Sequence, residues 1–530
     1  MSQFPIGCHD PARFLRGLSA RPGWPLFLGL IIAAAISIAA PAQTLKLSPA
    51  SLHPSQTTNV SGTKFGPHEV VDIYLDATDT VLGLTSSTGA LPAYAITVPA
   101  NSSLGTHWIT AIGRKSGLAA QSSLTVNTDW TEFGFGAAGK QYNPYENVLS
   151  QASVTNLGLA WKADLGAPVR AAPAVSGGMV YVGSNTGFIV ALNASTGAEV
   201  WAKGTAGAIE SSPAVAGGIV YAGSDDDILY ALNARTGAVV WTAGPIGDFV
   251  QTAPLVSGGI VYWGTRNGSV YAVNAKTGVT VWTVSLGGQI GRSFALANGQ
   301  LFATSTTAGL CALSTSSGSQ AFCVAGGEEL GLNYPTASQE LIYATALGHG
   351  IFAWPQASGL TTYTFSCGIQ GYSVPTTFAD STGYFSGCFN GSGGTDSVDA
   401  IRFPGVNNID EWTAPAIVSF PTGPMSYANG VLYVPQGGSV TALASDTGYQ
   451  LWAGYAGSLN YDVNFVVVAD GMLFASCDDG YLRAYALHAG DDPAYRHNPK
   501  PPVPSFLLPD GRLKIAQPAP ASSNRPSDED

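Results

Sequence analysis

Charge is scarce in this chain. Only 11% of its 530 residues are Asp, Glu, Lys or Arg, and acids outnumber bases by 34 to 22. That balance argues against a nucleic-acid partner, because binding phosphates needs a basic footprint. Cysteine is scarce as well: there are six, with no adjacent Cys-Cys pair and no Cys-x-x-Cys spacing, so thiol redox chemistry has no motif to work from. His-Glu-x-x-His, Gly-x-Ser-x-Gly and Walker-type phosphate loops are missing, and no pair among the scattered acids stands out as glycosidase carboxylates. The apolar run from Leu26 to Ala40 has 15 residues, short of the roughly 20 that span a bilayer.

Turn formers and apolar residues are plentiful. Gly 65, Pro 33, 45% apolar and 10% aromatic residues suit a turn-rich all-β protein and exclude disorder throughout. Arg13, Arg16 and Arg21 precede the apolar run, and Ala40-Pro41-Ala42 follows it, the layout of a cleavable export signal over residues 1–42. An uncleaved N-terminal anchor is the alternative. No Cys follows the run, so a bacterial-type lipid anchor is not expected. Cleavage would leave 19 basic against 33 acidic residues, an acidic exported protein with no stable membrane span.

Three segments repeat closely: Ala172 to Trp201, Ser212 to Trp241 and Ala253 to Trp282. Each runs from an apolar stretch through a Gly-Gly turn, an apolar-Tyr strand, a third strand and a Thr-Gly turn to a Trp. A period of about 40 residues made of four short strands is the signature of a propeller blade. Weaker copies continue to Leu487, giving eight starts, near Ala172, Ser212, Ala253, Phe294, Pro335, Pro375, Met425 and Phe465. The eighth copy lacks its outer strand, and an orphan apolar-Trp strand at Leu157 to Trp161 is placed to supply it. The expectation is an eight-bladed β-propeller over residues 153–490, closed by its first strand. Trp161, Trp201, Trp241, Trp282, Trp412 and Trp452 share one place as packing residues between blades, with Phe322 and Phe365 as substitutes.

Before the propeller, residues 43–127 show short alternating strands split by Gly, Pro and Ser turns, which reads as a small β-sandwich. His53, His68 and His107 lie there without metal-ligand spacing. Residues 128–152 form an aromatic, Gly-rich linker, and residues 491–530 a Pro-rich tail expected to be disordered.

The pattern A-L-N-A-x-T-G-x-x-x-W, at Ala191 to Trp201 and Ala231 to Trp241, resembles the pyrroloquinoline quinone (PQQ) repeat. Quinoprotein alcohol dehydrogenases share this repeat, as do non-catalytic propellers such as the outer-membrane β-barrel assembly lipoprotein. Residues 43–127 resemble bacterial immunoglobulin-like modules. In the dehydrogenases the resemblance implies PQQ with Ca²⁺, a disulfide between adjacent Cys, and a Glu/Asn/Asp set. The missing Cys-Cys pair departs from that pattern.

A cofactor, if one binds, is expected at the channel mouth, where Arg170, Glu210, Gln251, Arg292 and Asn333 precede the first strands of successive blades. The alternative is that these residues bond to one another around the channel. No catalytic residue and no metal ligand is singled out: Asp225-Asp226-Asp227 and Asp478-Asp479-Gly480 fall where ordinary turns fall. Disulfides are expected as Cys311–Cys323 across a hairpin and Cys367–Cys388 between connections on one face, with Cys477 left over. The leading expectation is a non-enzymatic exported scaffold that binds a protein or cell-envelope partner and needs no cofactor. A PQQ-dependent oxidoreductase of alcohols or sugars is the second.

Overall fold

A computed structural model describes residues 43–324, 334–338, 340–346, 350–358, 363–365, 377–386, 398–402, 409–414, 422–455 and 461–487. These residues build an all-β molecule. Eight sheets are blades, and two further sheets precede them.

The two early sheets enclose one apolar core. Thr44–Ser48, Thr57–Thr63 and Leu91–Thr97 form the three-stranded sheet, and Val70–Leu75, Thr78–Leu84, Gly105–Gly113 and Ala119–Val126 are the long strands of the five-stranded one. Alternation puts Val60 and Ile96 of the first sheet against Ile73, Ile109 and Leu124 of the second, all at most 2% exposed. His107 is buried and its Nδ1 lies 2.7 Å from Asp76, a structural pair.

Blade 1 is the template for the ring. Its strands are Ala174–Ser176, Met179–Ser184, Phe188–Asn193 and Glu199–Gly204, hydrogen-bonded in that order. Gly177 and Gly178 make the first turn with φ of 59° and 76°, which side chains with a Cβ rarely adopt. In all eight blades a fully buried Ala on the third strand faces the blade's outer-strand aromatic: Ala191 faces Trp201, Ala231 faces Trp241, and Ala484 faces Trp161. In blade 4 Phe322 takes that register, as expected. In blade 5 the residue opposite Ala353 is Tyr363, and Phe365, expected in that place, lies two residues further along, opposite Ile351. Tyr363 follows Ala353 by ten residues, the same offset that joins Ala191 to Trp201 and Ala231 to Trp241, so blade 5 keeps the register of the ring.

The outer-strand Trp of a blade docks on the next. The Trp201 indole N–H donates to the Ala234 carbonyl at 2.8 Å, and Trp161, Trp282 and Trp412 repeat this bond on Ala194, Thr315 and Ser445. The Trp face lies on the following blade's Thr-Gly turn, so closely that a Cβ on Gly237 would sit 2.7 Å from the Trp201 ring. One residue pattern therefore forms both the socket and the plug at five of the joints, those of Trp161, Trp201, Trp241, Trp282 and Trp412.

Blade 8 is shared between the two ends of the propeller. Val463–Ala469, Met472–Cys477 and Tyr481–Leu487 come from the end of the chain, and Leu157–Asp164 pairs antiparallel with the last of them, Leu157 opposite Leu487 and Asp164 opposite Tyr481. Closure removes the open sheet edges that invite association.

Residues 128–143, expected as a linker, line the channel instead. Trp130 exchanges both backbone bonds with Val175 of blade 1, and Val215 of blade 2 donates to the Thr131 carbonyl at 2.7 Å. Val256 of blade 3 donates to the Glu132 carboxylate at 3.1 Å. Leu296, Ala337, Phe378 and Tyr427, in blades 4 to 7, donate to the carbonyls of Ala137, Ala138, Lys140 and Gln141. The Asn143 amide reaches the Val468 carbonyl of blade 8 at 2.9 Å. The innermost strands would otherwise aim unpaired backbone groups into the channel, and this strap satisfies them blade by blade. Tyr142–Asn143 also adds a parallel fifth strand to blade 7.

Candidate functional site

Two ends of the channel differ in kind. The strap sits beside the first-to-second-strand turns, where Asp129 accepts from the Ser176 hydroxyl at 3.0 Å and from the Gly177 N–H. At the opposite end, the blade-to-blade connections and the second-to-third-strand turns come together. The sequence-derived mouth residues are found there.

Glu210 is the hub. Its Oε1 lies 3.6 Å from Arg170 and 3.5 Å from the Asn185 amide, and its Oε2 lies 3.4 Å from Arg292. Arg170 reaches on to Asp478 at 3.2 Å, and Asp478 also accepts from the Asn464 amide at 3.0 Å. Gln251 stands beside this chain of ion pairs, its amide 3.1 Å from Asp225. Burial pushes Asp225 above the ordinary carboxylate pKa, the Gln251 bond opposes that, and the charge of Glu210 adds to it. Asn333, the fifth mouth candidate, lies outside the described residues.

The strap itself carries an aromatic group that the sequence did not reveal. Phe133 of the strap stacks on Tyr334 at 5.1 Å and meets Phe465 edge-on at 5.9 Å. Glu132, its neighbour, has its pKa raised to about 7 by burial, with the bond from Val256 opposing the rise. The only signal in the sequence was the aromatic, Gly-rich character of residues 130–136, which gives no clue to position.

The acidic turns are occupied by structure. Asp226 accepts from the Tyr230 hydroxyl at 2.7 Å and from the Ala206 N–H at 2.9 Å, and Asp479 pairs with Arg483. Among the described residues no three His, Cys, Asp or Glu side chains stand close enough to share a metal ion. Cys311 and Cys323 face each other on adjacent strands of blade 4 and are disulfide-bonded. Cys367 and Cys388 lie outside the described residues. Cys477 is buried, and burial pushes its thiol up to about 12, so it is an inert group. Among the described residues no helix is long and apolar enough to cross a membrane.

Eight four-stranded blades closed into a ring define a β-propeller. A sequence profile described as outer membrane protein assembly factor BamB matches residues 152–278 and 266–372. No curated protein sequence matches the chain. Solved structures with the same architecture include BamB from Moraxella catarrhalis, 17% identical, with a TM-score of 0.50 over 63% of this chain and 98% of that one. The quinohemoprotein alcohol dehydrogenase from Comamonas testosteroni is 15% identical, with a TM-score of 0.53 over 68% of this chain and 80% of that one. The computationally designed Ika8 protein is 14% identical, with a TM-score of 0.52 over 61% of this chain and 97% of that one. At these identities the likeness concerns the fold, which hosts both catalytic and non-catalytic members.

Proposed function

We propose that this chain is an exported, non-enzymatic propeller whose rigid faces bind a protein partner of the cell envelope. The observation that supports this most is the state of Glu210, the carboxylate best placed to hold a cofactor at the mouth. Both of its oxygens are taken by guanidinium groups of the same ring. A Ca²⁺ ion needs several oxygen donors free to turn toward it. On our reading this donor set does not fit a quinone–Ca²⁺ pair, because Arg170 and Arg292 occupy the positions around the acid and Asp478 and Asp225 are already engaged. The match of the BamB profile to residues 152–372 favours the same reading. Polar groups that satisfy one another hold the mouth in a fixed shape, which suits a docking face better than a site that must rearrange around a ligand.

The test is direct. The protein is titrated with PQQ and Ca²⁺, followed by its absorbance spectrum and by dye-linked dehydrogenase turnover on alcohols and sugars. We expect neither stoichiometric quinone uptake nor turnover. Uptake of one quinone per chain with turnover that Glu210→Gln abolishes would overturn the proposal in favour of an oxidoreductase.

A further inference from the structure

One buried histidine in the two early sheets has an acceptor on each side. The Nδ1 of His107, on the strand Gly105–Gly113, lies 2.7 Å from Asp76 Oδ2, and its Nε2 lies 2.7 Å from the Ser103 carbonyl. A carbonyl oxygen only accepts, so Nε2 must carry a proton to bond it. An ionised carboxylate only accepts as well, so Nδ1 must carry a second proton. The ring that satisfies both partners is the imidazolium.

The two acceptors are not held alike. Asp76 is fixed to Trp108 twice: its Oδ1 accepts from the Trp108 N–H at 2.9 Å, and its own N–H donates to the Trp108 carbonyl at 2.8 Å. Ser103 belongs to the connection 98–104 that leads into the His107 strand. The far side of that connection meets the residues that follow the strap, where the Asn147 amide donates to the Ala100 and Ser102 carbonyls at 3.1 and 2.9 Å.

We propose that His107 is a proton-dependent tie: as an imidazolium it holds Asp76 and the connection 98–104 together, and loss of one proton releases the connection while Asp76 stays bound. The remaining proton stays on Nδ1, where the carboxylate makes the charge-assisted bond. Nε2 then turns a lone pair toward the Ser103 carbonyl oxygen. Two acceptors face each other, and the less anchored of the ring's two partners gives way. The change is local, because the Thr128–Asp470 bonds and the stack of His53 on Tyr145 continue to seat the early sheets.

Among the described residues Asp76 is the one charged group that bears on the ring, and the cross-strand neighbour Leu124 is apolar. The bond to Asp76 raises His107 above its ordinary 6.5; burial opposes this, and the Ser103 bond and the Asp76 charge add to it. Burial works to raise Asp76, but the bonds from His107 and the Trp108 N–H overcome it and leave Asp76 below its ordinary range. A histidine raised in the folded state contributes stability that is full below 6.5 and is lost as pH rises through its folded pKa.

The test uses the full chain labelled with ¹⁵N-histidine and titrated from about pH 5.5 to about pH 9.5. His107 is assigned by the signal missing from His107→Gln. Both of its nitrogens are expected to carry protons at about pH 6, and the titration to remove the Nε2 proton with a midpoint above 6.5. Amide exchange, corrected for intrinsic rates, is read over the same range on peptides covering residues 99–106. Ser102, whose N–H donates to the Pro99 carbonyl, is expected to lose protection by about tenfold per pH unit above that midpoint, with peptides from blade 1 staying flat. Asp76→Asn is the decisive variant. Asn tolerates the φ of 53°, keeps the acceptor for Trp108 and offers an N–H to Nδ1, so a neutral ring keeps its Nε2 proton for Ser103. In this variant Nε2 is expected to stay protonated and the connection to stay protected as pH rises. A wild-type midpoint below 6.5, loss of the Nδ1 proton in place of the Nε2 proton, or a wild-type exchange profile in Asp76→Asn overturns the tie. Should Asp76→Asn fail to fold, the wild-type nitrogen signals decide by themselves.

Discussion

The joint between blades rests on single residues. Gly237 has φ of 68° and carries the Trp201 ring on its Cα, with no room for a Cβ. Gly237→Ala forces both a left-handed backbone and displacement of the indole, at a cost of about 1–3 kcal/mol. The unfolding midpoint should fall accordingly, whereas Gly217→Ala, whose Cβ would meet nothing within 4 Å, bears only the backbone strain at φ of 58°. Comparing the two by thermal unfolding separates ring displacement from strain. These joint residues were the most legible part of the sequence. Trp, Thr-Gly and the facing Ala recur at fixed spacing because each blade must solve the same packing problem. In blade 5 spacing is a better guide than residue type: Tyr363 stands ten residues after Ala353, as Trp201 does after Ala191, whereas Phe365 lies opposite Ile351.

At the scale of the element, the strap was not legible, and the reason is physical. It binds the blades chiefly through backbone carbonyls, which any residue supplies, so no periodicity records the contact. The mouth ring was half legible. Position relative to each first strand found Arg170, Glu210, Gln251 and Arg292, but their partners Asn185, Asp225 and Asp478 come from turns that read as generic. Phe133 of the strap meets two aromatic rings, Tyr334 and Phe465. Phe133→Ala removes the stack on Tyr334 and the edge contact with Phe465, a loss toward the lower part of the roughly 3–5 kcal/mol seen for buried Phe, since the ring is only half-buried. The matching control is Phe188→Ala, where the side chain is 43% exposed, and its unfolding midpoint should move much less. Equal shifts in the two would mean that the channel aromatics add nothing to the ring.

For the whole molecule, closure depends on chain segments more than 300 residues apart. Leu157–Asp164 finds its place only when Tyr481–Leu487 is present to pair with it. Stopping the chain after Gly480 removes that strand and leaves both the Leu157–Asp164 strand and the second strand of blade 8 with open edges. The truncated chain is expected to run as oligomers or aggregate in size-exclusion chromatography with light scattering. A monomer with the native far-ultraviolet spectrum would show that the ring holds without its last pairing. Sequence alone carried this feature, because an orphan outer strand and a blade lacking one can be matched by inspection.

The strap gives the chain an uncommon winding. It passes blades 1 to 8 in order along residues 130–143, and the chain then goes round again to build those same blades. The inner lap is synthesised first, before any of the strands it will touch exist. As the chain leaves the ribosome the strap must therefore wait, with Trp130, Phe133 and Phe135 uncovered, while its partners arrive one blade at a time. Each new blade claims the next few residues of a track already laid, so the order of assembly is written into the order of the contacts. The last of those claims, on Asn143, comes from blade 8, the blade that also closes the ring.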